Sequence, residues 1–165
     1  MPETTLDVRY SDPAAEPTRW AEARKELEDA KAYWFTTVRE DGRPHVTTVA
    51  AVWVDEAVYV TTGVDEQKAR NLERNPHCVI TTGCNTLEGL DVVIEADAIL
   101  ETDPARLQAL ADAYRAKYDD LFPYEVRDGR LTLEEAPGEI VTYRLGATKA
   151  FGFNKGPFSQ TRWTW

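Results

Sequence analysis

The chain has 165 residues and a formal net charge of -10, from 29 acidic and 19 basic side chains. This length suits one domain that buries most of the surface its unfolded chain exposes. Because the net charge repels polyanions, we expect no nucleic acid and no anionic membrane as a partner, and any bound anion should be small and held locally.

The first helix and the segment before it differ sharply in pattern. Residues 1–17 are polar, contain three prolines and lack an apolar period, so we expect a mobile N-terminal arm before a single domain over residues 18–165. Trp20, Ala23 and Leu27 then recur at helical spacing, which predicts a short amphipathic helix.

Strands dominate the remainder of the chain. Two helices interrupt them: one with Asp65 as its expected N-cap, ending before Pro76, and one that begins with Asp103 as N-cap and proline next. The strand at 45–54 is apolar in both alternating sets, so we expect cover on both faces. This pattern predicts a small antiparallel β-barrel of α+β class. The predicted strands are residues 34–38, 45–54, 57–62, 77–82, 90–100, 139–145, 149–153 and 159–165.

Cysteine and histidine usage points to a reducing compartment. Cys78 and Cys84 form no CxxC pair, and with His45 and His77 they make no zinc-like cluster, so we expect no metal site. The N-terminal sequence has acids and prolines in place of a signal peptide. No apolar run approaches the roughly 18 residues that span a bilayer. We therefore expect a soluble, cytoplasmic protein.

A lysine at the start of the second helix has two interpretations. Lys68 would be its third residue, where free N-H groups already carry partial positive charge. One interpretation is a charged surface helix in which Arg70 lies one turn from Glu66, and the helix alone favours it. The other is a phosphate site formed by the strand end at Thr61 and Thr62 together with Lys68.

The C-terminal residues form a second candidate site. Trp163 and Trp165 predict a packed final strand in a core or a dimer interface, because an unpacked chain end would fray. Arg162 lies on the opposite face of that strand, available to an anionic ligand. Asp91, Glu95 and similar acids suit a solvated strand face, and no residue is identified as catalytic.

Four segments recur together in an order that is typical of one family. They are GRPHVTTVAAVW at 42–53, VYVTTGVDEQKARNLERNPHCVI at 58–80, LDVVIEADA at 90–98 and KAFGFNKGPFSQTRW at 149–163. In this order they resemble the pyridoxamine 5'-phosphate oxidase-like family of flavin- and deazaflavin-binding proteins, across about residues 20–165. The resemblance implies an α+β, six-stranded antiparallel split β-barrel with peripheral helices, forming a homodimer with cofactors at the interface.

The resemblance also implies a set of cofactor-binding residues. Glu66 departs from the family, where a small hydroxyl residue often stands two places before the lysine. Its carboxylate weakens phosphate binding unless Arg70 pairs with it. The implied residues are Val46, Thr47 and Thr48 near the ring, Thr61, Thr62, Lys68 and Arg70 near the phosphate, and Arg162 and Trp163 near the cofactor of the other subunit.

From this resemblance we expect a flavin- or deazaflavin-dependent oxidoreductase that moves a hydride between the cofactor and a small organic substrate. FMN is the expected cofactor, because the polyglutamate tail of the alternative, coenzyme F420, would prefer a basic groove. Vitamin B6 is not the expected substrate, since no histidine follows Arg162. The alternative is a non-catalytic flavin or haem binding or sensing protein, in which His45 or His77 would ligate haem.

Overall fold

A computed structural model of the chain describes residues 1–134 and 138–165. These residues contain three helices, α1 (Trp20–Asp29), α2 (Gln67–Arg74) and α3 (Pro104–Tyr118). They also contain eleven strands: β1 (Glu3–Leu6), β2 (Tyr33–Val38), β3 (Pro44–Val49), β4 (Ala51–Val54), β5 (Ala57–Gly63), β6 (His77–Thr82), β7 (Leu90–Leu100), β8 (Glu125–Arg127), β9 (Arg130–Thr132), β10 (Ile140–Lys155) and β11 (Phe158–Thr164).

Hydrogen-bonded strands enclose the core of the molecule. The main sheet has the order β1-β11-β10-β7-β6-β2-β3, and β5 pairs with both β10 and β4. Only Ala50 separates β3 from β4, so the path returns from β3 through β4 and β5 to β10. All pairs are antiparallel, which confirms the α+β prediction and is consistent with a split barrel. Nine strands join this sheet, not the predicted six.

Local pattern predicted several strands well. The bounds of β6 and β7 are those predicted, and in β7 Val92, Ile94 and Ala96 face the core, although Leu100 is exposed. The two strands predicted at 139–145 and 149–153 are one long strand, β10, whose register shifts between Ala147 and Lys149. A β-bulge inserts one residue without ending a strand, which explains the break in the apolar pattern.

The prediction that both faces of residues 45–54 are covered by other elements is correct for only half of that segment. In β4, Ala51 is buried in the barrel core and Val52 is buried on the opposite face, against α3. In β3, by contrast, Val46 is 54% exposed. Among the described residues β3 pairs only with β2, and its side chains at Pro44, Val46 and Thr48 are exposed, so its outer face is open to solvent.

The predicted mobile arm is wrong for its first part. All four residues of β1 pair with β11, and the N-H groups of Asp7 and Asp12 then donate to the carbonyls of Gln160 and Phe158. Residues 1–17 therefore begin with a strand that completes the sheet. Without β1, the strand β11 would present an unpaired edge. The pattern of residues 1–17 does not reveal this pairing, because β11 lies at the other end of the chain.

Two apolar clusters hold the helices to the barrel. The Trp20 ring at the start of α1 packs edge-on to the buried Trp163 ring, with the ring centroids 5.3 Å apart, as expected of a packed final strand. It also packs edge-on to the Trp165 ring at 4.8 Å, but Trp165 is 51% exposed. The second cluster lies between α3 and β4–β5 and includes Leu107 and Tyr114. No helix in the described residues is long and apolar enough to cross a membrane.

Candidate functional site

The end of β5 and the start of α2 bring three hydrogen-bond donors together. The Thr62 hydroxyl donates to Glu66 Oε1 at 3.0 Å, and the Gly63 N-H donates to the same oxygen at 2.9 Å. The Lys68 ammonium forms an ion pair with the other oxygen, Oε2. Thr62, Gly63 and Lys68 thus form a cradle for an anion, the β5–α2 cradle, and the Glu66 carboxylate lies in it.

The helix begins one residue later than predicted, and this places Glu66 in the cradle. Glu66, not Asp65, is the N-cap, with an extended backbone and no side-chain cap hydrogen bond, so its side chain turns back toward β5. Lys68 is consequently the second helical residue. Its side chain is 10% exposed, and a cation so buried needs a counter-ion. Arg70 is exposed and forms no ion pair with Glu66 in the described ranges.

The protonation state of Glu66 follows from its contacts. Burial acts to raise the pKa of the Glu66 carboxyl, but hydrogen bonds from Lys68, Gly63 and Thr62, with the nearby charge of Lys68, outweigh it. The pKa therefore lies below its ordinary value, and the side chain is an anion at neutral pH. The cradle is an organised anion site whose own carboxylate neutralises it.

The strand register divides the predicted ring-binding residues between two faces. Thr47 pairs with Phe35, which is buried, so Thr47 faces the core, and its buried hydroxyl has no hydrogen-bond partner among the described residues. Val46 and Thr48 face outward and are exposed. Side chains alone therefore cannot bring all three residues of this stretch to one ligand.

His45 lies on the same face as Thr47, close to the cradle. Burial, and then the positive charges of Arg39 and Lys68, lower the pKa of its imidazole. The ring is therefore neutral at pH 7. Its buried Nδ1 atom has no hydrogen-bond partner in the described part of the chain. His77 differs, since its Nδ1 pairs with Asp97 Oδ1 at 2.6 Å on an exposed surface.

Arg162 and Trp163 lie on opposite faces of β11. Arg162 is exposed and lines a cavity of about 400 Å³ with Thr5 and Asp7. Trp163 is completely buried against Trp20 inside the barrel. Its predicted approach to a cofactor of another subunit would require this core to open.

One row of directly paired residues connects the outer face of β3 to that of β11. Directly paired residues in antiparallel strands share a face, so Thr48 and Arg162 lie on the same outer face although their strands are far apart in the sheet. The Trp34 ring in this row is 45% exposed. The row runs Thr48, Trp34, Thr81, Val93, Phe151 and Arg162.

A second cavity, of about 360 Å³, adjoins the cradle. Thr61 and Glu66 line it together with Phe122 and Tyr124, and the Thr61 and Tyr124 hydroxyls lie 2.9 Å apart. Thr62 and Gly63 of the cradle also line this cavity, so the cavity and the cradle are continuous. The sequence analysis did not predict Phe122 and Tyr124 as site residues. Their position on either side of Pro123, shortly after α3 ends, is the sequence signal that could have indicated them.

Comparison with known proteins places these features in a family. A sequence profile described as pyridoxamine 5'-phosphate oxidase matches residues 20–141. No curated protein has a sequence that matches this chain.

Solved structures with low sequence identity share the fold. A conserved hypothetical protein from Mycobacterium tuberculosis is 20% identical, with a TM-score of 0.68 over 88% of this chain and 89% of that chain. A haem binding protein from Mycobacterium smegmatis is 14% identical, with a TM-score of 0.69 over 90% of this chain and 59% of that chain. The haem storage protein HutZ from Vibrio cholerae is 21% identical, with a TM-score of 0.62 over 84% of this chain and 95% of that chain.

Proposed function

Since the chain belongs to the pyridoxamine 5'-phosphate oxidase family, we propose that it is a flavin- or deazaflavin-dependent oxidoreductase. It would transfer a hydride between the bound cofactor and a small organic substrate. The observation that carries the proposal is the β5–α2 cradle, in which Thr62, Gly63 and Lys68 all donate to one carboxylate. A hydroxyl, a backbone N-H at the end of a strand and an ammonium group are also donors that a phosphate monoester accepts from.

The donors of the cradle are chemically suited to a cofactor phosphate, and a phosphate can reach them from solvent. Phosphate oxygens would replace the Glu66 carboxylate, whose side chain is 52% exposed and so has room to turn toward solvent. Thr62, Gly63 and Lys68 would hold the phosphate. Arg70, exposed on the same helix, would add a second positive charge at its outer side, and Thr61 would contact the adjoining chain of the cofactor.

The ring-binding residues are proposed on β3. Val46 and Thr48 would contact the ring from the outer face, and Thr47 would contribute its backbone groups. A flavin, when bound, supplies the hydride chemistry, so these residues need only bind and orient the ring and exclude water. FMN is the proposed cofactor and coenzyme F420 the alternative, because a chain with a net charge of -10 suits a polyglutamate tail poorly.

A homodimer is proposed on the outer face of the sheet. Trp34 and Val46 are diagonal neighbours on this face, and they are 45% and 54% exposed, which gives an apolar surface that a second copy would cover. Arg162 lies on the same face. A second copy packed there could bring its arginine toward the β3 strand of this chain, which would place the cofactor at the interface.

The test is a titration of the purified protein with FMN and with coenzyme F420, followed by ring absorbance and fluorescence. Lys68→Ala should weaken binding of the preferred ring about tenfold or more, because it removes a charged hydrogen bond. Arg74→Ala is the matched control, since it removes one positive charge from the other end of α2. Absence of binding by either ring, or unchanged binding in Lys68→Ala, would reject the proposed site.

A second candidate function is haem binding without turnover. Two of the similar structures are haem proteins by name, and His45 is neutral, with an Nδ1 that has no hydrogen-bond partner among the described residues. Titration with haemin should then give a saturable Soret shift that His45→Ala or His77→Ala abolishes. A saturable flavin spectrum with no such Soret shift would favour the oxidoreductase.

A further inference from the structure

We infer that Glu66 is an internal competitor for the cofactor phosphate: its carboxylate and the phosphate require the same three donors of the β5–α2 cradle. This inference rests on the proposed function, because it concerns the residue that sets how strongly the phosphate contributes to binding. It makes Glu66 a specificity-determining residue that decides between phosphorylated and unphosphorylated forms of one ring.

The hydrogen-bond capacity of the cradle allows only one occupant. The Gly63 N-H and the Thr62 hydroxyl each have a single hydrogen, and both point to Glu66 Oε1, at 2.9 and 3.0 Å. Lys68 is buried and pairs with Oε2. A phosphate can gain the Gly63 N-H and the Thr62 hydroxyl only if the carboxylate leaves both of them. The Lys68 ammonium has three hydrogens and could contact both anions, but its single positive charge would then be shared between them.

Charge enforces the same exclusion. If Glu66 stayed, its negative charge would lie within a few ångströms of a phosphate, and the charge of Lys68 is already paired with it. If Glu66 leaves, the complex loses three hydrogen bonds that the free protein had. Either way, binding of the phosphate is weaker than the same donors would allow if residue 66 were uncharged.

The rest of the ligand does not experience this competition. The predicted ring contacts lie on β3, which shares no hydrogen bond with Glu66. The competition should therefore appear in the ratio of affinities for FMN and riboflavin, which differ only in the phosphate. We expect this ratio to be lower in the parent protein than in a variant whose residue 66 carries no charge.

The experiment measures dissociation constants for FMN and riboflavin by fluorescence in the full-length parent, Glu66→Gln and Glu66→Ser. Both variants should bind FMN about tenfold or more tightly than the parent, with riboflavin affinity unchanged. Asp65→Asn is the control, because it changes the net charge equally and Asp65 makes no side-chain hydrogen bond to the described residues. Circular dichroism melts check that each variant is folded.

A second readout uses the parent alone. With ¹³C-labelled glutamate, the resonance lost in Glu66→Gln should shift on saturation with FMN and stay in place with riboflavin. An unchanged FMN to riboflavin ratio in folded variants, or a Glu66 resonance that ignores FMN, would overturn the inference while leaving the proposed function intact. Failure of parent and variants to bind any of FMN, riboflavin and coenzyme F420 would reject the proposed function and the inference with it.

Discussion

Lys117 donates a hydrogen bond from Nζ to the Tyr33 hydroxyl at 2.7 Å, beneath the last turn of α3. It also donates to the Ala51 carbonyl at 3.0 Å, and no carboxylate in residues 1–134 and 138–165 forms an ion pair with it. Burial, and then repulsion from Lys31, lower the pKa of Lys117 to about 8. The barrel therefore buries part of a cation without a counter-ion.

Replacing this lysine with a neutral side chain of similar length should stabilise the fold. In Lys117→Met the Ala51 carbonyl still accepts from the Tyr118 hydroxyl at 2.9 Å, and the Tyr33 hydroxyl still donates to the Leu27 carbonyl. Removing an unpaired buried charge while leaving its partners satisfied should raise the unfolding free energy by roughly 1 kcal/mol at pH 7. Urea unfolding measures this, and a destabilised Lys117→Met would contradict it.

The same residue predicts a pH dependence of stability. The pKa of Lys117 is about 8 in the folded chain and near its ordinary 10.5 when unfolded, so the unfolded chain binds more protons between these values. The contribution of Lys117 to the unfolding free energy should therefore rise with pH across this window. The difference between parent and Lys117→Met curves isolates this rise from tyrosine titration, and a flat difference would reject it.

Glu66 predicts a pH dependence of stability in the acidic range. Its folded pKa is depressed, so it contributes stability that is present above its unfolded pKa, near 4.5, and lost as pH falls through the folded pKa. The parent should lose stability more steeply than Glu66→Gln on acidification below about pH 5. Denaturant unfolding from pH 7 downward checks this, and parallel curves would show that the contacts of Glu66 contribute no stability.

Close packing around Gly152 predicts a large effect from one methyl group. A Cβ at this position would lie 2.5 and 2.9 Å from two atoms of the Trp163 ring and 3.4 Å from Leu90. Gly152→Ala should therefore destabilise the fold by about 1–3 kcal/mol.

Gly146→Ala, on the same strand, is the matched control, since its nearest contacts would be ordinary at 3.5 Å. Adding Trp163→Phe to Gly152→Ala should cost less than the sum of the two single changes, because the smaller ring leaves room for the methyl group. Thermal melts of the four variants test this, and additive effects would contradict it.

We expect the terminal strand, β11, to be required for formation of the proposed dimer. Removing residues 159–165 deletes the partner of β1 and β10 and takes Trp163 out of the core. We expect monomers or insoluble protein by size-exclusion chromatography with light scattering. Removing residues 1–6, which deletes only the outermost strand, should leave the assembly state unchanged. A well-behaved dimer without 159–165 would contradict the role given to the terminal strand.

Prediction from sequence succeeded where one segment contains its own signal. The alternating residues of β7 indicate a half-buried strand, and Asp103 followed by proline marks the start of α3, where the Asp103 carboxylate accepts from the Arg106 N-H at 2.7 Å. It failed where the partner is distant in the chain. The pairing of β1 with β11 has no strong local pattern. The small hairpin β8–β9 was also not predicted, although Asp128-Gly129, both at positive φ, is a strong local turn signal.

For the cradle, the sequence by itself determined which residues meet: a strand that ends at Thr62 and Gly63, and a helix that begins within five residues, necessarily bring Lys68 near them. It also singled out Glu66 as the unusual residue. Only the tertiary structure decided that the Glu66 carboxylate lies in the cradle, paired with Lys68 rather than Arg70, and that Trp163 is buried. The physical reason differs between the two. The Glu66 contacts span only two to four residues, and they depend on the extended backbone at the start of α2, which the residue pattern does not fix. Trp163 is buried because it packs against Trp20, which lies far away in the chain.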